Sequence, residues 1–296
     1  MSMSVVGIGK AHVDHLAVVD RYPEPESRVD LAGFSLQWGG TIATALSSLS
    51  RLGVETRLVT KLGDDDFGRQ ILRGCEGLGI DTSPVVVEND RISPYNIILI
   101  EHGTHRRTVL STEGNLEPLD PDAVDLSFLD DAKLLVIDGY HMDVQVRAAE
   151  RAREQGTVVV LDAGQIIEGM GELMALSDVL IASERYASEV APRGELEDSL
   201  IEISRLGPET VVVKLGAEGS IGLHGEKLVR QPPLRVDVVD TTGAGDVFLG
   251  GYCFGLLREA PLERCIQLAS AAAGLSVRQL GALGGLPDLE EIEAVA

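Results

Sequence analysis

Short apolar runs rich in β-branched residues alternate along most of the chain with longer segments that have a helical period. The runs KLLVID and TVVVLD, for example, flank VQVRAAERAREQG, in which apolar residues recur every three or four positions. Short β-branched runs are typical of buried strands, and a three-to-four period is typical of amphipathic helices. The repetition of strand, helix and strand predicts βαβ units, and therefore an α/β fold with a mostly parallel central sheet.

Several apolar runs end in a polar or small residue at the predicted end of a strand. These residues are Asp138, Asp162, Ser183, Lys214 and Gly216. The carboxyl ends of parallel strands share one edge of the sheet, and ligands bind at that edge in open α/β folds. We therefore expect the functional site there.

Two segments, 11–38 and 92–110, do not follow this alternation of strand and helix. In them apolar and polar residues alternate one by one, and turn-forming residues interrupt the alternation. Such alternation predicts antiparallel strands of a small sheet that lies outside the main one. A lid of this kind is typical of an enzyme that excludes water from its reaction. We predict a single domain over residues 1–296, with its lid formed by these two segments.

Composition and charge exclude several classes of partner. The 296 residues carry a formal net charge of −22, which argues against binding to nucleic acid or to anionic membranes. No segment approaches the roughly 20 apolar residues that span a bilayer, and the opening residues lack a signal-peptide pattern, so we expect a cytoplasmic protein. The three cysteines are too few and too widely spaced for a zinc or disulfide framework.

The segment DTTGAGD, residues 240–246, carries the clearest chemical signal. An extended segment precedes it and a helical period follows, so Gly243, Ala244 and Gly245 should lie at a strand-to-helix junction. Backbone N–H groups at a helix N-terminus bind anions, and glycines let a phosphate approach closely. Asp246 in the first turn would be an ordinary helix-capping acid, but beside a bound phosphate it would act as a general base. The combination favours phosphoryl transfer.

This segment also matches D-T-x-G-A-G-D, the C-terminal signature of the PfkB/ribokinase carbohydrate kinases. Further segments resemble that family in the same order along the chain, namely VVGIGKAHVD, WGGTIATALSSLSRLG, TKLGDDDFGRQILRGCEGLGID, VVVKLGAEGS and SAAAGLSVRQLGALGGLP. By this resemblance the chain is identified as a member of the family. Ser183, which follows a similar strand, resembles the ketohexokinase and sulfofructose-kinase branches.

The resemblance implies a ribokinase-like three-layer αβα sandwich, the cosubstrate ATP, Mg²⁺, and a K⁺ ion at a monovalent-cation loop. It implies a homodimer formed through the lid strands, because an apolar strand such as YNIILI needs a cover. The implied site residues are the catalytic group Asp246, Gly243, Ala244 and Gly245; the substrate group Asp14, Gly39, Gly40 and Thr44; the ATP group Lys214, Gly216, Gly219, Ser183 and Thr242; and the cation group Asp240, Gly281 and Gly285.

The sequence departs from the family pattern at two places. Thr44 stands where the family has an asparagine that contacts the substrate, and a hydroxyl lacks the amide's paired groups. In the N-x-x-E motif, which supports magnesium and phosphates through water, Ser183 and Tyr186 replace the asparagine and the glutamate. Either Glu184 and Glu189 compensate, or ATP itself holds the Mg²⁺.

The leading hypothesis is an ATP-dependent sugar kinase with a ketose as the favoured acceptor. One alternative is a nucleoside kinase, which would need an aromatic slot in a chain with 4% aromatic residues. The other is a catalytically silent sugar or nucleotide sensor. Arg106 and Arg107 are either contacts for an anionic substrate or solvated charges on the lid. His102 and His105 have the spacing of metal ligands, but their segment is more typical of a hairpin tip.

Overall fold

The computed structural model describes residues 4–104, 106–192 and 194–296; His105 therefore lies outside the described residues. In chain order, the strands are β1 (Ser4–Ile8), β2 (His12–Val19), β3 (Gly33–Gly39), β4 (Glu55–Val59), β5 (Lys61–Gly63), β6 (Val86–Glu88), β7 (Tyr95–Glu101), β8 (Arg107–Thr112), β9 (Leu134–Ile137), β10 (Val158–Ala163), β11 (Val179–Ser183), β12 (Thr210–Lys214), β13 (Ser220–His224) and β14 (Lys227–Gln231). The helices are α1 (Thr41–Arg51), α2 (Asp66–Gly77), α3 (Met142–Gln155), α4 (Met170–Leu176), α5 (Glu184–Val190), α6 (Leu196–Ser204), α7 (Ala244–Leu257), α8 (Leu262–Ser276) and α9 (Leu289–Glu293).

The central sheet contains eight strands in the order β14-β13-β12-β11-β10-β9-β1-β4. The strands from β12 to β4 run parallel, and β13 and β14 are antiparallel additions at one edge. Successive side chains of a strand point to opposite faces, so Val5 and Val6 belong to two different hydrophobic cores. Helices α1, α7 and α8 pack on the first face, and α3, α4 and α6 pack on the second. The predicted three-layer αβα sandwich is confirmed.

A second sheet of four strands, in the order β3-β2-β7-β8, forms the predicted lid. The hairpins β2–β3 and β7–β8 are antiparallel, as predicted. Strands β2 and β7 are parallel, with Asp14 opposite Asn96, so the expectation of a wholly antiparallel lid was wrong. The reason is connectivity, because the chain passes through α1, β4 and α2 of the main body between β2 and β7 and so does not return through a hairpin.

The two faces of the lid differ in chemistry. Asp14, Leu16 and Asn96 lie on the face that lines a cavity above the main body. The opposite face carries large apolar side chains that remain exposed: Phe34 (57%), Leu36 (45%), Ile97 (41%) and Leu110 (55%).

The segment before α7 differs from its prediction. Residues 232–240, all of them described, form a loop and no strand, so DTTGAGD lies at a loop-to-helix junction. Pro232 and Pro233 have no N–H to donate to a strand ladder, which ends β14 at Gln231. The loop is held instead by Asp240, whose backbone N–H donates to the carbonyl of Val277 after α8 (3.2 Å).

None of the helices in the described part of the chain combines the length and the apolar character needed to cross a bilayer. The cytoplasmic location stays a prediction.

Candidate active site

A cavity of about 140 Å³ lies between the lid and the N-terminus of α7. The carboxyl edge of the central sheet, where the strand-end residues were expected to gather, adjoins it. The predicted site residues that line it are Asp14, Gly39, Gly40, Thr44, Thr242, Gly243, Asp246 and Gly281. The structure thus brings the predicted substrate group and two of the four predicted catalytic residues to one place, while Ala244 and Gly245 follow in the first turn of α7 without lining the cavity.

The backbone at the start of α7 has the tight, glycine-dependent geometry that was predicted for an anion cradle. Gly243 has a φ of +72°, and a Cβ at this position would lie 2.2 Å from the Cβ of Ala282. Only glycine fits there without strain or a clash. At Gly245 a Cβ would lie 3.4 Å from the Nζ of Lys214, so an ammonium group stands beside the first turn of the helix. The helix N-terminus, Ala244 at its first position, and this lysine together favour a negative charge at the cradle.

Asp246 faces both the cavity and the cradle. Desolvation by the surrounding protein and the charge of Asp162 raise the pKa of Asp246 to about 7, while the charges of Lys214 and His12 lower it. A carboxyl group with a pKa near neutrality is well matched to taking a proton from a hydroxyl. Asp246 therefore has both the position and the proton affinity of a general base.

Charged side chains meet at the ends of β9, β10 and β12, at the carboxyl edge of the central sheet. The Nζ of Lys214, at the end of β12, donates to the Oδ1 of Asp162 in β10 at 2.5 Å. Asp138, directly after β9, accepts hydrogen bonds from the backbone N–H of Lys10 (3.1 Å) and of Tyr140 (2.9 Å). Burial raises the pKa of Asp138 to about 6. The sequence marked both aspartates as strand ends, but only Lys214 was assigned a role.

Asp14, the predicted sugar-binding acid, is oriented by hydrogen bonds within the lid. Its Oδ1 accepts from the Nδ2 of Asn96 at 2.8 Å and lies 3.1 Å from the Nε2 of His12. The Oδ1 of Asn96 accepts in turn from the Oγ of Ser111 at 2.6 Å. His12 lines the cavity, whereas His15 points to the other face of the lid and packs 5.5 Å from the ring of Phe67.

The two glycines before α1 keep the cavity open beside Asp14. A Cβ at Gly39 would lie 3.2 Å from the Oδ2 of Asp14 and 3.5 Å from the Oγ1 of Thr44. Gly40 has a φ of +108°, and its Cβ would lie 2.3 Å from the carbonyl oxygen of Lys10. A ligand hydroxyl at this point can therefore approach both the backbone and the carboxylate.

Four of the five residues predicted to bind ATP lie at or just after the ends of β11 and β12, whereas Thr242 lies in the loop before α7. Ser183 caps α5, since its Oγ accepts from the N–H of Tyr186 (3.1 Å) and donates to the carbonyl of Gly164 (3.2 Å). Gly216 has a φ of +58° and open space around it. A Cβ at Gly219 would lie 2.1 Å from a backbone carbonyl oxygen in β14, so this glycine is required by the turn itself.

The altered N-x-x-E motif does not carry a replacement carboxylate at its last position. Tyr186 is 2% exposed and packs in the core. Glu189 pairs with Arg185 at 2.7 Å, which leaves Glu184 as the exposed acid of this helix turn. Within the described ranges there is no group of three or more His, Cys, Asp or Glu side chains arranged to hold a metal ion. That ATP itself holds the Mg²⁺ stays a prediction.

The predicted monovalent-cation residues hold the loop before α7. Asp240 is buried, and its carboxylate accepts from the N–H of Thr242 (3.0 Å), the Oγ1 of Thr242 (2.8 Å) and the N–H of Gly281 (2.9 Å). A Cβ at Gly285 would lie 2.2 Å from the carbonyl oxygen of Ser276. These contacts assign Asp240 and Gly281 a structural role, and the K⁺ site stays a prediction.

Among the lid residues that line the cavity, Asn96 and Gln37 were not predicted as site residues, and Arg107 was left open between a contact for an anionic substrate and a solvated charge. Asn96 orients Asp14, Gln37 donates to the carbonyl of Leu280 at 2.8 Å, and Arg107 donates from Nη1 to the Oγ1 of Thr241 at 2.6 Å. The alternation of the lid strands was visible in the sequence. The pairing of β2 with β7, which selects the face and the partners of Asn96, was not.

Comparisons with known proteins agree with this geometry. A family model described as pfkB family carbohydrate kinase matches residues 2–289. An ATP-dependent ribose-1-phosphate kinase of Halopiger xanaduensis is 28% identical over 282 residues, which cover 94% of this chain and 93% of that protein. An aminoimidazole riboside kinase of Salmonella typhimurium is 29% identical, with 84% of each chain covered. The structure of Arabidopsis thaliana ribokinase complexed with ribose and ATP superposes with a TM-score of 0.85 and 25% sequence identity. The superposition covers 100% of this chain and 99% of the ribokinase chain.

Proposed function

The chain belongs to the pfkB family of carbohydrate kinases, and we propose that it transfers the γ-phosphoryl group of ATP to a hydroxyl of a ribosyl sugar. The observation that carries this proposal is the position of Asp246, which lies in one cavity with the sugar-binding Asp14 and directly beside the Gly243 cradle. A base, an acceptor site and an anion site then meet within one cavity.

The proposed reaction uses few protein groups. Asp14 and the backbone at Gly39 and Gly40 orient the sugar, and Asp246 takes the proton of the attacking hydroxyl. The N–H groups at the start of α7 stabilise charge on the transferring phosphoryl oxygens. Phosphoryl transfer needs mainly this kind of positioning and charge stabilisation.

The ATP phosphates would enter from the side of β11 and β12. Lys214 lies on this path with its Nζ beside Gly245, and Gly216 leaves the open space that a nucleotide needs. Mg²⁺, bound to the ATP phosphates, would neutralise part of their charge. Thr242 and Ser183 contribute hydroxyl groups at the two sides of this path.

A ribosyl acceptor has better support than a ketose. The names of the relatives share a ribosyl unit, as ribose, ribose 1-phosphate or a riboside. The ketose preference was expected from Ser183, which caps α5 and is not among the residues that line the cavity. We therefore place a ketose second.

A free nucleoside is a weaker candidate for the same site. The cavity of about 140 Å³ is below the range of about 300–1,000 Å³ in which drug-sized ligands bind. Trp38 is the one Phe, Tyr or Trp side chain among the described residues that line it, so a base would lack a pair of such rings to stack between. A silent sensor, in turn, would have no use for a base with a pKa of about 7.

We propose a homodimer formed through the outer face of the lid. Ile97 and Leu110 are direct partners across β7 and β8, and Phe34 and Leu36 lie on the same face in β3, on the far side of β2. Exposed apolar patches of this kind are typical of association surfaces.

The function is tested by measuring ADP release with ATP and Mg²⁺ against a panel of acceptors. The panel contains D-ribose, ribose 1-phosphate, fructose, fructose 1-phosphate and adenosine, each with and without K⁺. We expect turnover on at least one ribosyl acceptor, with a phosphorylated product identified by ³¹P NMR. Turnover confined to fructose would favour the ketose, and silence on all acceptors would contradict the proposed function.

A further inference from the structure

Arg107 is the one lysine or arginine among the residues that line the cavity in the described part of the chain. It lies at the start of β8, on the face of the lid that looks toward α7, in register with Ile100. Its Nη1 donates to the Oγ1 of Thr241 at 2.6 Å, across the gap between the lid and the DTTGAGD loop. The hydroxyl is a neutral partner, so this contact leaves the charge of Arg107 uncompensated.

The other cations near the site are already neutralised by carboxylates. Lys214 pairs with Asp162, and Lys10 pairs with Glu113, each at 2.5 Å. Arg107 has no ion pair within 4.0 Å among the residues that the structure describes. A guanidinium offers paired N–H donors in a fixed plane, which match the oxygens of a phosphate.

The cavity has two chemically different ends. Asp14, Asn96 and Ser111 form a polar row on the lid, which suits sugar hydroxyls. The Cα of Arg107 lies four residues from Ser111 along β8, or about 13 Å for an extended strand. An apolar row that contains Val109 separates the two ends. A neutral sugar would use only the first end.

We infer that the acceptor is a sugar phosphate, and that Arg107 binds the phosphate group it already carries. This inference rests on the proposed function, because it assumes that a sugar hydroxyl occupies the site beside Asp246. It also explains how a dianionic substrate enters a cavity that contains two aspartates in a chain with a net charge of −22. The substrate class is therefore a phosphate monoester of a pentose, with ribose 1-phosphate as the probe.

The test compares ribose 1-phosphate with D-ribose as acceptors in the wild type, Arg107→Gln and Arg107→Lys. Hydrogen bonds to charged groups contribute about 1.5–3 kcal/mol, so we expect Arg107→Gln to lower kcat/KM for ribose 1-phosphate by roughly 10- to 100-fold, mainly through KM. D-ribose should change by less than about threefold, and Arg107→Lys should retain part of the preference.

Arg106→Gln is the matched control. Arg106 carries the same charge one position earlier, but it lies 5.6 Å over the ring of Tyr22 and is not among the lining residues. We expect this variant to behave like the wild type with both acceptors. An equal loss in Arg106→Gln and Arg107→Gln would reduce the effect to general charge attraction and would overturn the assignment.

Other outcomes separate the inference from the proposed function. If Arg107→Gln lowers kcat equally with both acceptors, Arg107 acts on the ATP phosphates and the inference is wrong. If the wild type prefers D-ribose and Arg107→Gln is unaffected, the inference is wrong and the kinase function stands. If no acceptor turns over, the proposed function fails, and calorimetric binding of ribose 1-phosphate to wild type and Arg107→Gln still decides the role of Arg107.

Discussion

The two sides of the cavity are built in different ways. At the carboxyl edge of the central sheet, charged groups are held by the protein itself: Lys214 by Asp162, and Asp138 by backbone N–H groups. The lid is one sheet thick, with a polar row and an apolar row of side chains on the face toward the cavity and exposed apolar side chains such as Phe34 and Leu110 on the other. From this difference we expect bond making to depend on the edge of the central sheet, and substrate choice and association to depend on the lid. Substitutions on the two sides should therefore change different quantities.

The largest effect is expected at the catalytic edge from Asp246→Asn. Without the carboxylate no group at this position takes the proton, so kcat should fall by at least about 100-fold. KM for the sugar should change little, because Asp14 is untouched. The measurement is steady-state ADP release with the best acceptor. Turnover within tenfold of the wild type would contradict the assignment of Asp246 as the base.

The same variant should not be less stable. The pKa of Asp246 is about 7 in the folded protein and about 3.9 in an unfolded chain. The folded state therefore binds the extra proton, and this contribution to the free energy of unfolding is complete below about pH 4 and is lost as pH rises through 7. Asp246→Asn avoids that loss, so at pH 8 its Tm should equal or exceed that of the wild type. Asp237→Asn, which removes an exposed acid from the preceding loop, should change neither Tm nor kcat.

The second test breaks the geometry of the same edge and leaves its charges intact. In Gly243→Ala the new methyl group would meet Ala282, and the φ of +72° would be strained. The cradle N–H groups should move, and loss of one such donor lowers kcat by about 100- to 1,000-fold in other enzymes, so we expect a decrease of about 100-fold. Gly171→Ala is the control, since nothing lies within 4 Å of a Cβ there and the glycine is in α4. Activity retained in Gly243→Ala would place the anion site elsewhere.

The third test uses the charges around Asp246 to shift its titration in opposite directions. The kcat/KM of the wild type should rise with pH and level off above about 7, as Asp246 loses its proton. Lys214 lowers this pKa and Asp162 raises it, so Lys214→Gln should move the midpoint up and Asp162→Asn should move it down. We expect kcat to fall by about tenfold in Lys214→Gln. D-ribose is the suitable acceptor, because a phosphate monoester itself titrates near pH 6. Shifts in the same direction in both variants would contradict the assignment of the titration to Asp246.

The edge of the central sheet was also more predictable from sequence than the lid. Strand-end residues such as Lys214 and the first turn of α7 could be located because apolar periodicity places the strand ends and the helix start, and parallel strands end at a common edge. The segment before α7 was predicted as extended and is a loop. Pro233 has no N–H to donate to a strand, and the segment is held by the hydrogen bond from the backbone N–H of Asp240 to the carbonyl of Val277. A contact between residues so distant along the chain leaves no local pattern.

The lid was predictable as a sheet but not as a binding surface. The alternation of apolar and polar residues identifies two faces of a strand, but it does not say which face meets the main body. The parallel pairing of β2 with β7 depends on the passage of the chain through the main body between the two strands. Asn96 and Arg107 reach the cavity only through that pairing. The role of Asn96 therefore leaves no signal in the sequence, and the sequence left Arg107 open between a contact for an anionic substrate and a solvated charge.

The fourth test moves to the lid and should change binding more than catalysis. Asn96→Ala removes the 2.8 Å hydrogen bond that orients Asp14, so we expect KM for the sugar to rise by about tenfold with kcat within about twofold. Ser111→Ala removes only the hydrogen bond from Ser111 to Asn96, which does not touch Asp14, and should raise KM by about threefold. A decrease in kcat that exceeds the increase in KM would show that the lid takes part in the chemical step.

The smallest effect on the reaction is expected from the outer face of the lid. The double variant Phe34→Asp with Leu110→Asp places two charges on the proposed dimer surface, where desolvating them would oppose association. Sedimentation equilibrium should show a dimer for the wild type in the micromolar range and a monomer for the variant, with kcat per chain within about twofold. Ile201→Asp with Leu206→Asp, which alters similarly exposed side chains (40% and 46%) at and just after α6, should remain dimeric. A wild type that sediments as a monomer would contradict the dimer. A large loss of kcat on dissociation would mean that the partner subunit supports the lid, and the division between a catalytic edge and a selective lid would then hold only within the assembled pair.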